Sequence, residues 1–231
     1  MGTTLAVGDL HFPWAHKDVV PFLSAAKKKY RPTNVVCMGD EIDGHSWSDH
    51  GADPDGFSPG HELEAAIAGL SEIYDIFPVC RVATSNHTER HLKRARKSQL
   101  PGAFLKSYRD ALRAPTGWEW ADCHTIDGVD YIHGTGYSGQ LGALKCALRR
   151  MNSVCIGHLH GNAGVAWAAN SRHLVFGFCV GCLIDADAYA FAYAKNNDQK
   201  PILGVGLITD GVPRFIPMPL KRGGRWTGVV P

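Results

Sequence analysis

Five short apolar runs in this chain each stop at a loop carrying histidine, aspartate or asparagine. Thr4–Val7 leads into Gly8-Asp9-Leu10-His11, Asn34–Met38 into Gly39-Asp40-Glu41-Ile42-Asp43, and Val79–Ala83 into Ser85-Asn86-His87. Val129–Ile132 leads into His133-Gly134, and Val154–Ile156 into Gly157-His158-Leu159-His160. Runs this short, rich in valine and isoleucine and bounded by glycine or polar residues, read as buried strands. In open α/β sheets, ligands collect at the carboxyl ends of the strands, and all five loops hold that position. The fold can therefore bring them to one edge although they are scattered from Asp9 to His160.

Helical patterns separate several of these strands. Asp18–Lys29 offers Val19, Val20, Phe22, Leu23 and Ala26 as a buried face. In His61–Phe77 the residues Leu63, Ala66, Ile67, Leu70, Ile73, Tyr74 and Phe77 recur at helical spacing, with Ser58-Pro59 before and Pro78 after. Further helices are expected over Glu89–Lys97 and Leu141–Arg150. The alternation argues for a layered α/β fold with a largely parallel region. After His160 the pattern changes: Val165–Ala169, His173–Phe178, Ile202–Ile208 and Arg214–Pro217 read as strands of a second sheet. Lys195–Lys200 reads as an exposed loop. One domain over residues 1–220 is the simplest organisation, followed by a basic, glycine-rich tail over 221–231 that is expected to be poorly ordered.

The 231 residues are 45% hydrophobic and 20% charged, an ordinary soluble globular composition. No apolar run approaches the roughly 20 residues needed to cross a bilayer. The beginning of the sequence shows no secretory pattern. Cys37, Cys80 and Cys155 sit in apolar runs as small hydrophobes, a usage that suits a reducing compartment and a cytoplasmic location. The one CxxC, Cys179 to Cys182, has no second ligand pair at zinc-site spacing and reads as buried strand cysteines. From Pro32 to Cys80 there are ten acidic residues and no Lys or Arg; from Arg81 to Arg113 there are nine basic residues against Glu89 and Asp110. That asymmetry suits a cation site beside an anion-attracting wall. On charge alone, a solvated acidic loop and a solvated basic helix face are the favoured reading.

Each motif is weak by itself. The order DxH, GDxxD, NH, HG, GHxH is specific as a set, and with it the chain resembles the calcineurin-like metallophosphoesterase superfamily. The motifs cover Leu5 to about His160, and the strands to about Met218 follow more loosely. The stretch His45–Ser48, the helix into Phe77-Pro78, and Asn86–Arg90 resemble the small bacterial and phage-encoded branch. The resemblance implies a four-layer α/β/β/α sandwich of two mixed sheets, with a dinuclear metal site at the strands' carboxyl ends. It implies that Asp9, His11 and His160 hold one metal, that Asn86, His133 and His158 hold the other, and that Asp40 bridges them. His87 is then the proton donor and Asp43 its support.

The chemistry stands beside the resemblance. Mixed nitrogen and oxygen ligands suit two divalent transition-metal ions, Mn²⁺ first, with Fe²⁺, Ni²⁺ or Zn²⁺ as alternatives. Two such ions activate water and neutralise phosphate oxygens, and a histidine can protonate the departing alkoxide. The glycines at 8, 39, 134 and 157 permit tight turns or close approach.

The chain departs from the family pattern at Ser85-Asn86-His87-Thr88, where the usual motif is GNHD or GNHE. Glu89, the next acid in sequence, is the expected stand-in, and the change bears on loop geometry and substrate handling more than on metal binding. Arg90 reads equally as a phosphate contact and as a surface helix residue. His45 and Trp47 are candidates for lining the substrate site, and Trp47 also suits a loop anchor. The expected activity is metal-dependent phosphoester hydrolysis, foremost of phosphodiesters. The alternatives are a nuclease acting on DNA or RNA ends and a metal-containing nucleic-acid-binding protein without turnover. The expected partner is a phosphoester substrate, including nucleotides or nucleic acid, and no membrane.

Overall fold

The computed structural model describes residues 2–49, 56–185, 187–188 and 200–231. The first strand, β1 (Thr3–Val7), is followed by α1 (Val19–Tyr30), β2 (Asn34–Cys37), α2 (Pro59–Ile76) and β3 (Val79–Ala83). Next come α3 (Arg90–Lys97), a short α4 (Tyr108–Ala111), β4 (Gly117–Ala121), β5 (His124–Ile126) and β6 (Val129–Ile132). The chain continues through α5 (Gly142–Arg150), β7 (Ser153–Ile156), β8 (Ala163–Ala169), β9 (Leu174–Val180), β10 (Gly204–Thr209) and β11 (Val212–Pro217). The expected Lys195–Lys200 loop lies outside the described residues except for Lys200.

Strand periodicity builds the layers, because successive side chains point to opposite faces. On β1, Leu5 and Val7 enter a core with Phe22 and Leu23 of α1 and Leu70 and Ile73 of α2, whereas Ala6 enters a second core. That second core lies between the sheets and holds Val36 and Met38 against Tyr131, Cys155, Phe176 and Phe178. Neighbouring residues Val154, Ile156 and Cys179 point the other way, onto Ala143, Cys146 and Ala147 of α5. The result is the four-layer α/β/β/α sandwich. Cys37, Cys80, Cys155, Cys179 and Cys182 are free and buried within it.

The sheets are divided differently from the sequence expectation. The first runs β11-β10-β1-β2-β3-β4 and the second β5-β6-β7-β9-β8. Only β8 and β9 of the four late strands join the second sheet; β10 returns to pair antiparallel with β1, and β11 pairs with β10. β4 and β5 were not expected from the sequence. β1 to β4 run parallel, as do β6, β7 and β9, so the carboxyl ends of β1, β2, β3, β6 and β7 share one edge of the sandwich.

The tail is also a correction. Residues 221–231 are packed, because Asp18 at the start of α1 accepts hydrogen bonds from Arg225 Nε and the Trp226 amide, both at 2.8 Å. The Trp226 ring meets Phe22 edge-on at 5.7 Å, and Val230 is buried. A carboxylate and an aromatic contact thus hold a segment whose composition alone suggested disorder. No helix among the described residues is long and apolar enough to cross a membrane.

Candidate metal centre

The five loops meet. Asp9 and His11 follow β1, Asp40 follows β2, Asn86 and His87 follow β3, His133 follows β6, and His158 and His160 follow β7. The backbone is bent sharply to achieve this: Asp9, His11, Asp40 and His158 all have positive φ, between 30° and 64°. Such left-handed conformations are costly outside glycine and persist where the surroundings over-determine them. Gly39 (φ 92°) makes the β2 loop possible, since a Cβ there would lie 2.7 Å from the Ala83 carbonyl and 2.9 Å from His133 Nδ1. Hydrogen bonds from His11 N to Asp40 O (2.8 Å) and from Leu183 N to Asp9 O (3.1 Å) tie the loops together.

Three groups of side chains present ligand atoms within 4.8 Å of one another, and Asp40 belongs to all three: with His11 and His87, with His133 and His158, and with Asp9 and His160. Asp40 Oδ2 is 3.4 Å from both His11 Nε2 and His133 Nε2, the position expected of a bridging carboxylate. His160 Nε2 is 3.1 Å from His11 Nε2 and 3.3 Å from Asp9 Oδ2. On the other side, His133 Nε2 is 2.9 Å from Asn86 Oδ1 and 3.1 Å from His158 Nδ1. Ligands held about 2.0–2.1 Å from one ion stand roughly 3.0–3.4 Å apart around it, so these separations fit two neighbouring cations.

The polar groups left over point the same way. Both carboxylate oxygens of Asp9 and Oδ1 of Asp40 are buried without a hydrogen-bond partner, an arrangement that costs free energy unless a cation satisfies it. The outer nitrogens of two histidines are occupied: His11 Nδ1 faces Asp43 Oδ1 at 2.8 Å, and His133 Nδ1 donates to the Met38 carbonyl at 2.8 Å. Those contacts aim the Nε2 lone pairs at the centre. Without a cation, burial and the neighbouring Asp40 push the Asp9 carboxyl up to about 7, against the pull of His133 and His11. Burial disfavours the charged form of His11, but Asp40 and Asp43 outweigh it and raise the imidazole to about 10.

The departure at Ser85–Thr88 has a local explanation. Ser85 Oγ accepts from the amides of Asp40 and Thr88, each at 3.1 Å, and shares a hydrogen bond with Thr88 Oγ1 at 2.9 Å. The serine hydroxyl thereby fixes the backbone of Asp40. Glu89 does not replace the missing acid: its carboxylate faces Lys93 at 3.1 Å, on a half-exposed helix surface.

Asp43 lies against both His11 and His87. Its carboxylate is nearer His11 (2.8 Å) than His87 (3.5 Å), and its backbone carbonyl accepts from His87 Nδ1 at 2.6 Å. Arg90 is not a free surface residue. Its Nη1 donates to the same carbonyl at 2.6 Å, and its Nη2 lies 2.8 Å from His87 Nε2. Burial lowers the His87 imidazole to about 4, with His11 and Arg90 adding to the shift and Asp40 and Asp43 opposing it. His45 and Trp47 form a short 3-10 turn with Ser46, and Trp47 packs over Gly44 and into the core.

Sequence reasoning missed Glu62. It is buried on α2, and its two carboxylate oxygens accept the His45 and Ser46 amides at 2.7 Å each, holding the turn beside Asp43. Its place four residues before Ala66 and eight before Leu70 puts it on the buried face of α2, and that spacing is the signal that could have found it.

The sequence matches no family model and no curated protein. Solved structures similar in chain trace include Vps29 of Chaetomium thermophilum (TM-score 0.47, 11% identity, covering 99% of this chain and 95% of that one). Another is Yfce, a phosphoesterase from E. coli (TM-score 0.47, 12% identity, 93% and 92% covered). A third is vacuolar protein sorting 29 of Cryptosporidium parvum (TM-score 0.43, 13% identity, 92% and 95% covered). In the order of its motifs and in the way they converge on Asp40, the chain resembles the calcineurin-like metallophosphoesterases.

Proposed function

We propose that the chain is a dinuclear metal-dependent phosphoesterase acting on phosphodiesters, with Mn²⁺ the foremost candidate for its two divalent ions. The observation that carries this reading is Asp40, whose carboxylate belongs to three ligand groups at once. Two bound cations would neutralise phosphoryl oxygens and make a hydrolytic nucleophile available near neutral pH.

The chain's own residues supply the rest. Asp9, His11 and His160 form one half of the site, Asn86, His133 and His158 the other, and Asp43 orients His11. Arg90, beside His87, offers a planar guanidinium to a phosphate. A phosphate that takes up the Arg90 Nη2 hydrogen bond frees His87 Nε2 to hold a proton for the leaving alkoxide. His45 and Trp47 shape the loop that carries Asp43.

A nuclease is the second reading, favoured by the row Arg90, Lys93, Arg94, Arg96 and Lys97 on α3. Three of those charges are engaged locally: Lys93 by Glu89, and Arg94 and Lys97 by Asp49.

The test is to strip the protein of metal and reload it with Mn²⁺, Ni²⁺, Zn²⁺ or Mg²⁺. It is then assayed on a chromogenic phosphodiester, a phosphomonoester, cyclic nucleotides and single-stranded DNA. Metal-stimulated cleavage of the diester, lost together with metal content in Asp40→Asn, is the expected result. Cleavage confined to DNA would favour the nuclease. Metal binding without any hydrolysis would overturn the enzymatic reading and leave a metal-containing binding protein.

A further inference from the structure

A cavity of about 500 Å³ lies beside the metal centre, between the first turns of α2, helix α3 and helix α4. Its walls are apolar, formed among others by Ile42, Trp47, Leu63, Ala95, Leu105 and Leu112. His91 and Tyr108, also in the wall, stack at 5.2 Å with their rings 21° apart. The volume lies within the range of cavities that bury a small organic group, and an apolar wall with few polar atoms is how such cavities bind.

Its place relative to the reacting centre gives it a use. Among the described residues, His87 alone belongs both to this wall and to the groups that surround Asp40. Its Nε2 is 3.8 Å from Asp40 Oδ2, and its ring meets that of His11 edge-on at 4.7 Å. In an in-line displacement the attacking and leaving oxygens stand on opposite sides of phosphorus. The oxygen that receives a proton from His87 must lie within hydrogen-bond reach of it, and the cavity is the apolar space adjoining that histidine.

The opposite flank is different in kind. A second cavity of about 380 Å³, lined among others by Asn86, His133, Thr135, Lys93 and Arg150, offers a much larger share of polar atoms and suits the part of the substrate that stays on phosphorus.

We infer that the apolar cavity beside His87 is the leaving-group subsite, and that it selects phosphodiesters whose departing alcohol is aromatic. This rests on the hydrolase reading above. Water oxygen forms the new bond to phosphorus as the bond to the aromatic oxygen breaks. The proton on His87 goes to that oxygen, and the proton lost by water returns His87 to its starting state through solvent. A nucleic-acid backbone, whose departing sugar is polar and carries further charge, would gain little from these walls.

The experiment compares methyl phenyl phosphate with methyl 2-naphthyl phosphate, whose departing alcohols have similar acidity. The metal-loaded wild type is compared with Ala111→Trp and Ser98→Trp, two variants that add bulk at separate wall positions. Folding of each variant is checked by circular dichroism, so that one sound variant suffices. The expected wild-type preference in kcat/KM for the naphthyl ester is about fivefold, as burial of one more fused ring predicts. Ser98 and Ala111 both line the cavity, so each folded variant should slow both esters and lose the preference, the naphthyl rate falling several-fold further than the phenyl rate.

Binding of methyl 2-naphthyl phosphate to metal-free protein, followed by naphthyl fluorescence, separates the two claims. Binding that Ala111→Trp abolishes, without turnover in any metal, would sink the hydrolase reading and keep the subsite. Turnover with equal rates for both esters in wild type, or unaffected by both folded variants, would overturn the subsite and leave the hydrolase standing.

Discussion

Replacing Glu62 with glutamine should loosen the metal-site loop from a distance and without touching a ligand. Both Glu62 oxygens accept backbone amides at 2.7 Å, from His45 and Ser46, and the side chain is buried. Glutamine keeps one acceptor and turns its NH₂ towards the other amide, so one charge-assisted bond is lost and one buried donor is left unpaired. Together these cost about 2–4 kcal/mol. For a chain of this length that lowers Tm by roughly 5–15 °C. The control is Glu64→Gln, which breaks an exposed pair with Arg113 and should cost under about 1 kcal/mol.

Thermal and urea unfolding of metal-free protein give the stability, and amide hydrogen exchange gives the location. Exchange at His45 and Ser46 should accelerate in Glu62→Gln far more than at Leu5 or Val82. Because the turn follows Asp43, whose carbonyl holds His87 and Arg90, turnover should fall with metal content unchanged. A loss below about 1 kcal/mol, with unchanged exchange at His45 and Ser46, would refute the idea that this carboxylate clamps the loop.

Metal loading at pH 7 should release protons, because His11 (raised to about 10) must give one up and Asp9 (raised to about 7), half protonated at that pH, must give up the rest. Calorimetry in buffers of different ionisation enthalpy measures this, and affinity that does not tighten from pH 6 to 8 would contradict it. The same raised values mean that these two groups stabilise the metal-free fold most at low pH, Asp9 losing its contribution as pH rises through about 7 and His11 through about 10. His87, lowered to about 4, should titrate upward towards its ordinary value in Arg90→Gln; its imidazole NMR shifts report this, and no movement would remove Arg90 as a cause. Gly177→Ala should fail to accumulate as folded protein, since the new methyl would lie 2.2 Å from the Ala143 backbone on α5; a cooperative unfolding transition at the wild-type temperature would contradict that close approach. In Asp18→Ala, trypsin should cut the tail at Arg225 much faster than in wild type, and equal rates would mean the clamp does not hold the segment.

What was legible in the sequence was local. A run such as Val79–Ala83 followed by Asn86-His87 shows strand, loop and ligand within ten residues, so the site could be assembled from five such readings. The partition into sheets was not legible, because β10 looks no different whether it joins β9 or returns to β1; the choice is made by partners nearly the whole chain away. β4 escaped although Trp118-Glu119-Trp120 alternates as a strand does, because the run is only five residues long and opens on Gly117. Asp43 was recognised as part of the site beside His87, but its closer carboxylate contact with His11 was not legible, since spacing cannot rank two histidines by distance. Arg90 was undecided because spacing gives no distances for it either. The tail defied its composition through Asp18, a residue that nothing nearby in sequence marks as a clamp.

The return of β10 to β1 also sets a timetable for the molecule. β1 pairs with β2 on one side, but its other edge waits for Gly204–Thr209. A ribosome adding roughly 5–20 residues per second leaves that edge open for about 10–40 s. Asp9 and His11 hang from the end of β1 throughout that interval, and Leu183, which fixes the Asp9 carbonyl, arrives late as well. An open strand edge in a nascent chain is a template for pairing with the wrong partner. Asp9 and His11, two of the seven candidate ligands, therefore reach their final positions only as synthesis nears its end, so the yield of folded protein depends on how that edge is sheltered before β10 emerges.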